Sequence, residues 1–299
     1  MHRSGTSLTA QLCHEFGWPV SGTERVLQRG DEFNPRGYWE PAQLVSINEI
    51  LLRSLGGNWR FVPQLSANWN NTPRLDSVRE QAREFVQSVT TYRTTWKDPR
   101  LTLTLPFWYP LLPSTRFILC FRHPLDVAHS LQSRDHMDPD WSLTLWLIYT
   151  TQALLHTRHH SHLPVFYEDL IGPEATTQLQ RLKIFLETDS PSAANLSLIR
   201  QEFSHGTCGL SPLTEKDNTP ALVRTLWNEL LLWRAADYPD SSHLMDIAQA
   251  YHSPSRPWRM NPSHPWFVWM AYEKMMWWEE RSVWRAVPNR HSHGRRTPR

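Results

Sequence analysis

Residues 116–130 read Arg116-Phe117-Ile118-Leu119-Cys120-Phe121-Arg122-His123-Pro124-Leu125-Asp126-Val127-Ala128-His129-Ser130. The apolar residues 117–121 follow one another without polar alternation, the pattern of a strand buried on both faces in a parallel sheet. Pro124 then opens a helical pattern that runs to Arg134. Arg122 is thereby placed at the carboxyl end of a buried strand, the edge where α/β proteins bind ligands. Ser130 falls about two turns into the helix and can face the same crevice.

Working outward, residues 164–167 (Pro-Val-Phe-Tyr) read as a second strand, followed by Glu168-Asp169-Leu170. Residues 94–97 read as a third, stopped by Asp98-Pro99. Helical patterns are expected at 7–16, 41–55, 76–92, 124–134, 142–160, 173–187 and 220–236, interleaved with the strands as in an α/β protein. The expected domain spans residues 1–250. A Trp-rich helical extension follows at 251–287, carrying Trp266, Trp269, Trp277, Trp278 and Trp284, and then a disordered basic tail at 288–299.

Of 299 residues, 40% are hydrophobic and 20% charged, enough apolar surface for a packed core. The 31 basic residues comprise 27 Arg and only 4 Lys. The formal net charge of +2 depends on the last ten residues, whose four Arg leave the rest of the chain at −2 when removed. The body therefore gives no global case for nucleic-acid binding. Three Cys far apart in sequence make no disulfide framework. No uninterrupted apolar stretch of about 18 residues predicts a membrane span, and the first residues show no signal-peptide pattern. A cytoplasmic location is the expectation.

A second chemical signal stands at the start. His2-Arg3-Ser4-Gly5-Thr6-Ser7 leads straight into a helical pattern. Helix-start N–H groups, hydroxyls and an Arg form a site suited to phosphate or sulfate. An ordinary Ser-capped helix is the plain alternative. The loop lacks the GxxxxGK[ST] pattern of nucleotide hydrolases, and the buried strand ends in Arg122 rather than a Mg²⁺-binding Asp, which disfavours a kinase. His156, His159, His160 and His162 cluster, but no carboxylate or Cys with ligand spacing lies nearby, so a polar helix end is preferred to a metal site.

Together these blocks resemble the PAPS-dependent sulfotransferases, in particular the bacterial, tyrosylprotein-sulfotransferase-like branch. His2 to Ser7 is similar to the loop that holds the 5′-phosphosulfate of 3′-phosphoadenosine 5′-phosphosulfate (PAPS). Arg122 and Ser130 match the pair that holds the 3′-phosphate. Lys97-Asp98-Pro99-Arg100 resembles the KDP element, Tyr167-Glu168-Asp169-Leu170 the YExL segment, and residues 34–40 (NPRGYWE) an NPxGYxE element. The blocks follow family order over residues 2–187.

The resemblance implies a P-loop-like three-layer sandwich, a central parallel sheet flanked by helices. It also implies PAPS as co-substrate, no metal, and sulfuryl transfer to an acceptor hydroxyl or amine. Carbohydrate, tyrosine, lipid or small phenol are the open acceptor classes, and a homodimer is possible. Arg3 and Lys97 are the expected cations at the transferred group. Glu40 ranks first and Glu24 second as general base, with Asp31 and Glu32 behind. His2, Arg3, Ser4, Gly5, Thr6, Ser7, Arg122, Ser130 and Tyr167 are the expected nucleotide contacts.

Two departures are visible. The family's glycine-rich C-terminal cofactor segment is not evident; His205-Gly206 and Cys208-Gly209 are a poor substitute. The family's first strand runs into the phosphosulfate loop, whereas this sequence opens at the loop, so the first strand is expected to be missing. The alternatives to an enzyme are a non-catalytic binding protein of the same fold and an inactive product of a mis-assigned start.

Overall fold

The computed structural model describes residues 1–20, 26–27, 30, 32–34, 37–66, 68–89, 93–112, 114–188, 208–238 and 241–252. The chain divides into a unit Met1–Tyr251 and a second at His252–Arg299. The Trp-rich segment and the basic tail lie outside the described residues, so the account below concerns the first unit.

That unit is mixed α/β and mostly helical. In chain order it comprises α1 (Thr6–Glu15), β1 (Val26–Leu27), β2 (Glu40–Pro41), α2 (Ala42–Ser54), α3 (Asp76–Val89), α4 (Leu101–Trp108), β3 (Phe117–Phe121), α5 (Pro124–Asp135), α6 (Pro139–Thr157), β4 (His162–Phe166), α7 (Tyr167–Ile171), α8 (Ala175–Leu186), α9 (Ala221–Ala235) and α10 (Ser242–Tyr251). β3 and β4 form a two-stranded parallel sheet in the register Phe117↔His162 to Phe121↔Phe166. β1 and β2 make a two-residue antiparallel pair. No helix among the described residues is long and apolar enough to cross a membrane.

Side-chain alternation sends the two faces of the β3–β4 pair into different cores. Leu119, Phe121 and Phe166 join a cluster with Trp146 of α6 and Leu226 and Trp227 of α9. Leu163 and Val165, with Ile118 beside them, pack on Leu8 and Leu12 of α1 and Leu179 and Leu182 of α8. A third cluster joins α2, α3 and α4 through Leu44, Ile47, Phe85 and Trp108. Behind β4, the Arg234 guanidinium grips the buried Asp169 carboxylate with Nε to Oδ2 at 2.7 Å and Nη2 to Oδ1 at 2.5 Å, tying α7 to α9.

The third expected strand, at 94–97, is not a strand. Among the described residues only Thr95 pairs, with Val20 in a single parallel bridge, where its N–H donates to the Pro19 carbonyl at 2.8 Å. Asp98-Pro99 turns the chain at once into α4, so the ladder has no room to extend. Residues 1–5 are turn and coil, and no strand precedes α1 among the described residues.

The sequence reading did not anticipate α4, because Pro106 lies inside it. A proline there has no N–H for the Thr102 carbonyl four residues earlier. The His156 imidazole replaces it, with Nδ1 2.9 Å from that oxygen. Burial pushes the His156 pKa down to about 4, opposed by this hydrogen bond, so the ring stays neutral. His156, a member of the His cluster, is therefore a prosthetic donor for a broken helix. His156→Leu is expected to cost about 1–3 kcal/mol, the desolvation of an orphaned carbonyl. Urea denaturation of His156→Leu with and without Pro106→Ala should show a smaller loss in the double variant, where residue 106 regains its N–H.

Candidate functional site

Parallel pairing sets the centre of the site. One step past the Phe121↔Phe166 pair, Arg122 and Tyr167 stand side by side at the carboxyl edge, with the guanidinium 4.4 Å above the Tyr167 ring. The same ring fixes the loop before α1. A Cβ on Gly5 would lie 2.6 Å from Tyr167 Cδ2, and Gly5 has φ +78°. Only glycine fits both the close approach and the left-handed backbone. Arg3 is also left-handed, at φ 64°, a strain of about 1–2 kcal/mol of the kind concentrated at functional sites.

The loop gathers the residues expected to bind an anion. Arg3 Nε donates to Ser130 Oγ at 2.7 Å, and Arg122 Nη1 donates to the Arg3 carbonyl at 3.0 Å. Arg3, Arg122 and Ser130, up to 127 residues apart in sequence, thus form one connected group. Gly5 caps α1 with no side-chain acceptor and no acidic residue in the first turn, leaving the helix-start N–H groups without a side-chain partner. Three buried polar atoms around this loop meet no hydrogen-bond partner: His2 Nε2, Ser4 Oγ and Arg122 Nε. Orphaned donors beside an uncapped helix start are what a bound oxyanion would satisfy. Burial, then repulsion from Arg134, lowers the pKa of Arg3, with Arg122 adding to the effect. Cations are held together here against their own repulsion.

His2 packs against Trp59 with the rings tilted by 40° and their centroids 4.3 Å apart, and it meets Tyr149 edge-on. Burial first, then the charges of Arg100, Arg134 and Lys97, hold its pKa well below the ordinary imidazole value, so it is neutral.

A second group of charges adjoins the loop. The Tyr38 carbonyl accepts from Ser7 Oγ at 3.3 Å and from Lys97 Nζ at 2.9 Å. Lys97 also forms a buried ion pair with Glu40. Arg100 approaches Glu40 at 3.8 Å and pairs with Glu49 and Asp98. Asp98 Oδ2 accepts from Asn48 Nδ2 at 2.8 Å, and Asn48 Oδ1 accepts from Thr104 and Trp108. The KDPR segment is thus a buried polar network anchored to α2 and α4, with Lys97 at its end nearest α1. The first-ranked base, Glu40, is brought to the loop. Glu24 and Asp31 lie outside the described residues, and Glu32 is exposed. Thr6 begins α1. Among the described residues no group of three His, Cys, Asp or Glu is placed to hold a metal ion.

Two neighbours of the site were not assigned a role from sequence. Arg134 lies one turn beyond Ser130 on α5, a spacing that alone would have put both on one face. Glu168 is the other. Its Oε1 accepts from the His123 N–H at 2.8 Å, while Oε2 is buried without a partner. Burial pushes its pKa up from 4.5 to about 7, with the His123 hydrogen bond and Arg122 opposing.

The sign of the pH effect follows. Between about pH 4.5 and 7 this carboxyl is ionised in the unfolded chain and protonated in the folded one, so stability falls as pH rises through that window and levels off above it. Glu168→Gln should be more stable than the parent at pH 8 by about 1–3 kcal/mol, with the gain vanishing at pH 4; denaturant titrations at the two pH values test this. Comparison of the chain with protein-family models, curated proteins and solved structures finds no match.

Proposed function

We propose that this protein is a sulfotransferase that moves a sulfuryl group from PAPS to an acceptor hydroxyl or amine, on a reduced form of the three-layer P-loop-like sandwich. The observation that carries this reading is the meeting of Arg3, Ser130 and Arg122 at the uncapped start of α1, with Ser4 Oγ and Arg122 Nε buried and unpartnered. On this reading the α1 N–H groups, Ser4 and Arg3 hold the phosphosulfate. Arg122 and Ser130 take the 3′-phosphate, as a guanidinium fork and a neutral donor.

Transfer is in line. The acceptor oxygen or nitrogen forms a bond to sulfur as the bond from sulfur to the bridging oxygen breaks, and the bisphosphate leaves with that oxygen. The acceptor proton goes to Glu40. Neutralising Glu40 releases Lys97 from its ion pair, so its charge becomes available to the leaving oxygen as negative charge builds there. Catalysis is then mainly positioning and charge stabilisation.

A second reading, a nucleotide-binding protein without turnover, is favoured by the same ion pair, since Glu40 is already satisfied by Lys97. Two variants separate the readings. Arg122→Ala is expected to weaken binding of adenosine 3′,5′-bisphosphate by about 1.5–3 kcal/mol, roughly 10- to 100-fold. Glu40→Gln is expected to keep nucleotide affinity and lose turnover with a panel of phenol, sugar and tyrosyl-peptide acceptors. Nucleotide binding without turnover in the parent protein supports the second reading, and absence of binding overturns both.

A further inference from the structure

We infer that Arg134 is a specificity-determining residue that completes the 3′-phosphate subsite from the last turn of α5, an inference that rests on the nucleotide-binding reading above. Ser130 and Arg134 are four residues apart on α5, so they share a face and stand about 6 Å apart along its axis. Ser130 is fixed on the loop by Arg3. Arg134 is fixed near the same loop from the other side: its guanidinium lies 6.0 Å from the centre of the Trp59 ring, and that ring packs at a tilt against His2, the neighbour of Arg3. Its side chain is only 14% exposed. Arg3 thus touches Ser130, Arg122 holds the Arg3 carbonyl, and Arg134 stands one turn from Ser130 on the same face of α5.

The acid available to Arg134 is its neighbour Asp135, at 2.6 Å. Asp135 is shared with Arg60, whose Nη2 donates to Oδ1 at 2.9 Å. One carboxylate between two guanidiniums leaves this corner with a positive excess, next to the loop that already carries Arg3. A cation one turn from Ser130 adds more to a dianion seated on Ser130 than to one at the α1 start. Arg134 thus acts on the choice between nucleotides with and without a 3′-phosphate.

Isothermal titration of the full 299-residue chain with adenosine 3′,5′-bisphosphate and with adenosine 5′-monophosphate tests this. Arg134→Gln is expected to weaken the bisphosphate about tenfold and to leave the monophosphate within about twofold. Asp135→Asn, which frees Arg134 from its acid, is expected to act in the opposite sense and raise the preference for the bisphosphate. Arg116→Gln, which removes a charge paired with Glu187 away from the site, controls for net charge and should leave the ratio unchanged. If Arg134→Gln does not fold by circular dichroism, Arg134→Lys, which loses the fork but keeps the charge, should still cut the preference about threefold. A parent protein that prefers the bisphosphate with an unchanged ratio in Arg134→Gln or Arg134→Lys overturns the role of Arg134 and leaves the proposed function standing. A parent that binds neither nucleotide overturns the proposed function itself.

Discussion

The parallel register of β3 on β4 decides where the chemistry of this protein sits. Five residue pairs hold it, and the next position on each strand carries a site residue, Arg122 on one and Tyr167 on the other. A slip of one residue would turn Leu119, Phe121, Leu163 and Val165 out of their clusters. It would also part the guanidinium from the ring that supports it. Tyr167 in turn blocks every residue but glycine at position 5, so the loop before α1 inherits its path from the same register. The Trp146 indole, donating to the Arg122 carbonyl at 3.0 Å, clamps the strand end from α6.

The charges divide into two economies. Around Lys97, Glu40, Arg100, Asp98 and Glu49, opposite signs alternate and most lone pairs are filled; such a buried network specifies a geometry more than it adds stability. Around Arg3, Arg122 and Arg134 one sign dominates, and buried donors go unmet. Folding gains nothing from the second arrangement on its own. Local rules broken in this way, beside a network that obeys them, mark the place where a charged partner is expected.

Much of this was legible in the sequence because the informative residues are punctuation. The apolar run 117–121 between two arginines, the helix opened by Pro124, and the HRSGTS loop leading into α1 each have a local cause; the structure places Arg3, Ser130, Arg122 and Tyr167 together, where spacing had linked only Arg122 with Ser130 and the resemblance the other two. What was not legible depends on contacts distant in sequence. Residues 94–97 have strand-like composition, but a strand also needs a neighbour, and among the described residues only Val20 is offered. α4 was hidden because its Pro106 is compensated by a histidine fifty residues later. Glu168 and Arg134 look like ordinary surface charges until burial and the adjoining arginines are known.

The Tyr38 carbonyl holds Ser7 from one side and Lys97 from the other. It belongs to the peptide that joins Tyr38 to Trp39, and Trp39 is left-handed at φ 58°. A non-glycine residue held there is strained, and a turn of the peptide plane before it is one way to release that strain. Were the plane to turn over, both hydrogen bonds would go at once, and an N–H would face the lysine where an oxygen had been. Ser7 of α1 and Lys97 therefore share a single backbone acceptor, and a turn of that one peptide would loosen both together.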